Sequence, residues 1–331
     1  MSRIDTETKN YMSDNNHFAD AFNFLIYDGE PVIDPGALRP LDSTEIVIPY
    51  GNEARVPEQK YRDVLKLWQA MTDGKTIYAV LGTEIQSKIH YAMPVKDGLY
   101  DFMHYATQVE EAKKSYKDQN GKQEKYKLTS EEFLSGFRKE DRLMPVITLA
   151  IYMGPFEWDG PMSIHEMLST KDEHLLRFVP DYRINLIAPA RIGNEDFLKF
   201  KTDLGKVLQY VKYSEDDEKL LEITGEGDRF RNIDEDSANL INITTGSKLQ
   251  YEAKGGHVDM CKAIEDMRKH SREEGERSGF KKGRRGEREE TIANMLKTHT
   301  PEWICNEFNW YSPEEVYAVQ AKLAAEGGCG K

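Results

Sequence analysis

Cysteine is scarce in this chain. Cys261, Cys305 and Cys329 are the only three in 331 residues, all in the last quarter and none in CxxC spacing. They build neither a disulfide frame nor a zinc site, and a reducing cytoplasm is the compartment expected for such a chain. Long apolar runs are missing too. None approaches the ~20 residues of a membrane span, and the opening MSRIDTETKNYMSDNN lacks the profile of a secretory signal. No membrane partner is expected. GxGxxG, P-loop and HExxH patterns are absent, and the eight histidines are scattered. Positive charge is also in short supply. The formal net charge is -13, whereas domains that neutralise phosphates are mostly basic. Net charge governs solubility more than it governs a local site, however. A basic groove on an otherwise acidic surface remains compatible with it.

What is present is a globular composition, 39% hydrophobic and 31% charged, on a chain long enough for one large domain and a smaller one. His17 to Tyr27 has apolar residues at helical spacing and stops at Asp28-Gly29. Glu30 to Asp42, with three prolines, reads as a loop. Ser43 to Tyr50 reads as a strand and Gly51 to Gln59 as a polar turn. Thr72-Asp73-Gly74-Lys75 is a hairpin-type turn, which makes Tyr61 to Ala70 and Thr76 to Glu84 its two strands. A helix follows from Pro94 to about Ser115, then a lysine-rich loop from Tyr116 to Lys127. Capping boxes open at Thr129 and Ser163. Met144 to Tyr152 is a strand buried on both faces, Tyr182 to Ala188 a further strand, and Asn194 to Tyr213 a long amphipathic helix. The pattern predicts an α/β domain over 1–215, an acidic connecting segment over 216–259 and a helical module over 260–331. In that module Gly275, Gly279 and Gly283 recur every four residues, and three short helical segments follow, Thr291 to Lys297 and two that open at Thr300 and Ser312. The glycine stripe predicts a close helix pair, and so a homodimer.

The chemistry concentrates at Ile77 to Pro94. Alternation along a strand puts Glu84, Gln86 and Lys88 on one face. With Asp63 on the neighbouring strand, two carboxylates converge where a hard divalent cation could bind. Asp63 and Glu84 are the expected metal ligands, with the backbone carbonyl of Ile85 as a third. Gln86 is expected to orient water or phosphate, since an amide has no useful basicity, and Lys88 to offset developing charge. Glu-x-Gln at the end of a strand is, in most chains, only a solvated terminus. Tyr91, Tyr100 and Tyr105 read as core rather than as base-stacking groups.

The segments YRDVLKLWQAM, YAVLGTEIQSKIHYAMPVKDGLYDFMHYATQVEEA, LSGFRKEDRLMPVITLAIYMG, EWDGPMSIHEML and LRFVPDYRINLIAPA together resemble the recombination-promoting nuclease / putative transposase family, within the PD-(D/E)XK nuclease superfamily. The resemblance runs from Tyr11 to Tyr213 and takes in the helix from Met260. It implies a restriction-endonuclease-like α/β core and a magnesium-dependent DNA endonuclease, with manganese as a substitute ion. Asp63 and Glu84 match the two acidic positions, and Gln86 stands where the superfamily usually has lysine. Lys96 replaces an arginine common after the AMPV motif. A third acid from the first helix would be Asp20, for which a purely structural role is an equal reading. The rival class is a DNA-binding or regulatory protein that keeps the fold without the chemistry.

Overall fold

Two capped helices open the chain. Ser2 caps α1 (Arg3–Ser13): its hydroxyl accepts the Asp5 N–H, and the Asp5 carboxylate accepts the Ser2 N–H in return. Asp14 then caps α2 (Asn15–Tyr27) by accepting from the Asn16 and His17 N–H groups. Only Thr8, Tyr11 and Met12 of α1 are buried, so this helix has little apolar periodicity to betray it in the sequence. The Asp28-Gly29 stop forms as expected, with both residues left-handed at φ 53° and 86°. Glycine is needed there, because a Cβ would sit 2.6 Å from the Lys199 Cβ. The computed structural model describes residues 2–41, 44–47, 58–61, 63–72, 75–119, 128–225 and 229–327. It falls into two units, Met1–Cys261 and Lys262–Lys331.

The first unit is mixed α/β and is built on a five-stranded sheet. Its members are β1 (Leu38–Pro40), which the proline-rich stretch hides in the sequence, then β4 (Val64–Thr72), β5 (Lys75–Gln86), β6 (Val146–Tyr152) and β7 (Asn185–Ile187), side by side in that order. Between β1 and β4 in the chain, β2 (Thr44–Val47) and β3 (Glu58–Tyr61) pair on their own. β4 and β5 form an antiparallel hairpin whose register runs from Thr72↔Lys75 to Val64↔Thr83. The turn residues Asp73 and Gly74, most of the Gly51 to Gln59 turn and the loop beyond Gln119 lie outside the described residues. β5, β6 and β7 run parallel. Parallel neighbours need a crossover, which between β5 and β6 includes α3 (Met93–Gln119) and α4 (Ser130–Ser135), the latter opened by the predicted Thr129–Glu132 capping box.

The α3 face of the sheet buries Leu65, Val80 and Val146 with Leu67, Tyr105 and Met144 packed against them. Each fully buried aliphatic contributes about 1.5–3 kcal/mol of transfer free energy. Asp101 on α3 accepts hydrogen bonds from Thr148 (2.6 Å) and Tyr182 (2.7 Å), tying the helix to the parallel strands. On the other face, buried Lys66 donates to the Ser13 carbonyl (2.7 Å) and to Asn15 Oδ1 (2.6 Å), fixing the α1–α2 corner.

Three expectations change downstream. The Ser163 box does not close: α5 (Ile164–Met167) has no side-chain cap, and Glu166 accepts from the Met162 N–H instead. A short α6 (Glu173–Leu176) follows. The long helix expected over Asn194 to Tyr213 is only a 3-10 turn at Asp196–Leu198 and α7 (Leu204–Tyr213). Its missing turn is explained by Asp20, which takes the Lys201 and Thr202 N–H groups that a continuous helix would use internally. Finally, the described residues of 216–259 are structured. It holds α8 (Asp217–Gly225), β8 (Ile233–Asp234), α9 (Glu235–Thr245) and β9 (His257–Val258), and α9 packs on α1 and α7.

The second unit contains most of α10 (Met260–Leu296), with α11 (Pro301–Glu307) and α12 (Pro313–Gly327). Ile292, Ile304, Val316 and Val319 make its core. Thr300 and Ser312 cap α11 and α12 as expected, whereas the segment from Thr291 continues α10 rather than forming a separate helix. A Cβ at Gly275, Gly279 or Gly283 would meet nothing within 4 Å, so packing within the chain does not demand these glycines. The Cys261 thiol donates to the Thr224 carbonyl at 2.8 Å, Cys305 is a free thiol, and Cys329 lies outside the described residues. No helix among the described residues is long and apolar enough to cross a membrane.

Candidate active site

The hairpin register brings the two expected acids together. Val64 stands against Thr83, so Asp63, one residue before the strand, stands beside Glu84, one residue further on. Opposite residues of an antiparallel pair share a face, here the α3 face. Asp63 is 8% exposed and Glu84 1%. Asp63 Oδ2 accepts the Ile85 N–H at 2.8 Å. Within a strand the N–H and C=O of one residue point to the same neighbour. The Ile85 carbonyl therefore points to the Asp63 side, beyond the start of β4.

Helix α3 adds the third charge. Lys96 Nζ lies 2.5 Å from Glu84 Oε2 and 6.0 Å from the centre of the Tyr100 ring. Burial pulls the Lys96 ammonium down, but the Glu84 carboxylate outweighs it, with Tyr100 and Asp63 adding, so the group is raised overall. Burial pushes the Asp63 carboxyl up; the Ile85 N–H, Lys96 and Lys9 oppose this without reversing it. Desolvation thus raises one buried carboxyl beside a cation that is held charged, an arrangement shared by functional sites and structural ion pairs.

Gln86 is the last residue of β5 and is half-buried, its carbonyl accepting the Met153 N–H at 2.9 Å. Lys88 has left the strand and is exposed. The chain bends at Ser87 because its N–H turns to Asp5 Oδ1 at 3.0 Å. Burial raises the Asp5 carboxyl, yet its hydrogen bonds to Ser2 and Ser87 prevail and hold it low. Thus α1 supplies Asp5 and Lys9 to the margin of the site. Asp20 is committed elsewhere: Oδ1 accepts from Lys201 N–H, and Oδ2 from Thr202 N–H and hydroxyl, at 2.6 to 2.8 Å. Tyr100 is buried and the Tyr105 hydroxyl meets the Val146 N–H, both core roles as expected; Tyr91 is exposed and donates to Asp159.

The sequence concealed two contributions. Lys96 entered only through the resemblance, as the replacement for an arginine, although its place in the first turn of the helix after β5 puts it over the strand end. The signal that could have found Asp5 is the Ser2–Asp5 spacing of a cap.

Among the described residues no three His, Cys, Asp or Glu side chains are grouped to hold a metal. A cage made wholly of such side chains is therefore not what this site offers. Two carboxylates, a strand-end amide and a backbone carbonyl are oxygen donors, and they suit a hard cation that completes its shell with water and substrate oxygens. No family model, curated protein or solved structure matches the chain.

Proposed function

We propose that this chain is a magnesium-dependent DNA endonuclease of the recombination-promoting, transposase-like type, with a PD-(D/E)XK core. The observation that carries the reading is the juxtaposition of Asp63 and Glu84 at one strand end, with Lys96 charged beside them. Asp63, Glu84 and the Ile85 carbonyl would hold the ion, and manganese would substitute for magnesium. When bound, the ion supplies charge neutralisation at the phosphate and a hydroxide-like nucleophile.

The remaining steps belong to the chain. The Ile85 N–H fixes one Asp63 oxygen and so aims the other. Lys96 pins Glu84 and presents positive charge toward the place where a phosphodiester would develop its negative charge. Gln86, at the strand edge, orients water or phosphate through its amide, and the exposed Lys88 reaches a flanking phosphate as a point charge.

The Lys96–Glu84 pair also favours a second reading, because the chain's own cation already compensates one of the two acids. In that reading the protein is a catalytically silent DNA-binding or regulatory protein. Incubating pure protein with supercoiled plasmid in magnesium or in EDTA separates the two. The endonuclease nicks or linearises plasmid in magnesium alone, and the Asp63→Asn variant does not. Intact plasmid in magnesium and manganese, with DNA still bound, sinks the enzyme reading.

A further inference from the structure

Positions 268 through 287 of α10 are all exposed, an uninterrupted stretch with no buried residue. Its one large apolar side chain is Phe280. A helix without an apolar face has nothing to bury against its own chain, and Gly275, Gly279, Gly283 and Gly286 weaken it further. Its charge is net positive, with eight lysines and arginines against Glu273, Glu274, Glu276 and Glu287, and the excess is concentrated at one place. Arg277, Lys281, Lys282, Arg284 and Arg285 fall within nine positions that hold no carboxylate, in a chain whose net charge is -13.

Helical spacing sorts these residues onto faces. Arg277, Lys281 and Arg284, at i, i+4 and i+7, line one face over ~10 Å, and the glycines line the opposite one. Arg285 turns to Glu289 at 2.9 Å and Arg284 lies over the Phe280 ring at 5.8 Å. Among the described residues Arg277, Lys281 and Lys282 have no ion-pair partner. Like charges at these spacings repel and oppose the helix. An anion from outside the chain relieves that repulsion, and a row of cations calls for a row of anions.

We infer that the exposed basic face of α10 binds the phosphate backbone of duplex DNA. It supplies a local positive field that the acidic chain as a whole lacks. An anionic bilayer is the poorer match, since one phenylalanine gives no apolar face to insert. Cations without base-reading partners position DNA and do not select its sequence. This inference concerns binding and stands apart from cleavage at the strand end.

The test is equilibrium binding of full-length protein to a short fluorescent duplex, in EDTA so that nothing is cut, across a salt series. Replacing Arg277, Lys281 and Arg284 together with glutamine keeps helix propensity and removes the charge of that face. The variant is expected to bind at least about tenfold more weakly at low salt. Its log–log salt slope should flatten by roughly 0.9 for each phosphate that is no longer neutralised, whatever the duplex sequence. Circular dichroism checks that both proteins are folded. Equal affinity and slope in the two proteins overturn the inference and leave the endonuclease reading intact. Absence of wild-type binding overturns it, as does a loss confined to phosphatidylserine vesicles. A variant that loses binding while neither protein cuts plasmid in magnesium upholds this inference and removes the other.

Discussion

The junction of α2 with the segment before α7, and the end of the β4–β5 hairpin, each bury an aspartate, and they satisfy it differently. Asp20, 3% exposed, receives three donors, two of them backbone N–H groups. Asp63, 8% exposed, receives the Ile85 N–H and the field of Lys96, and burial still lifts its carboxyl above the ordinary range. A carboxylate supplied with donors on both oxygens serves as a structural staple. One left short of donors keeps an oxygen for something else. Burial alone therefore does not mark a functional acid; the donors around it do.

The largest effect that would sharpen this contrast is on stability at Asp20. Asp20→Ala leaves the Lys201 and Thr202 donors without their acceptor and is expected to cost roughly 2–4 kcal/mol. Urea unfolding measures it. A loss below ~1 kcal/mol would make Asp20 dispensable to the fold and reopen its place as a third acid.

Glu84→Gln comes next, because it leaves the Lys96 ammonium without its counter-charge. Lys96 is 30% exposed, so solvent screening reduces the buried-pair cost, and roughly 1–3 kcal/mol is expected. Plasmid cleavage should fall more than ~100-fold in the folded variant. Wild-type cleavage by a folded Glu84→Gln protein would remove Glu84 from the site.

Asp63→Asn should lose cleavage to the same extent while holding or raising stability at neutral pH. Asparagine can still accept the Ile85 N–H, and the burial cost of the charge disappears. A marked loss of stability would show that Asp63 is a staple like Asp20.

The smallest effect is the pH dependence. The folded state holds the Asp63 proton to higher pH than the unfolded chain does, whose aspartate sits near the ordinary 3.8. Wild-type stability relative to Asp63→Asn should therefore fall as pH rises from that value through the raised folded one, and recover on acidification. Lys96 is raised as well, so its contribution is present at neutral pH and is lost only as pH climbs through its own folded value above 10.5. A difference in melting temperature that grows on acidification instead would reverse the sign assigned to Asp63.

Much of this was legible along the chain. The Thr72–Lys75 turn defined the hairpin, and its two flanks then had to face each other, so Asp63 beside Glu84 followed from spacing. The stop at Asp28-Gly29 and the caps at Thr129, Thr300 and Ser312 were equally readable, because a turn or a cap is decided by residues within four positions of one another. The hidden parts depend on partners far away in sequence. Asp20 and Lys201 are 181 residues apart, and their bond both breaks the predicted long helix and decides what Asp20 is for. Tyr11 reaches Ser237 at 2.7 Å across 226 residues, which draws the supposed connecting segment into the first unit. Lys96 meets Glu84 only because α3 folds back over β5. Sequence by itself determined which charges exist and which short-range geometry carries them. The tertiary structure decided which of them are compensated, because in a buried setting an ion's free energy depends on the donors and charges within a few ångströms and not on its neighbours along the chain.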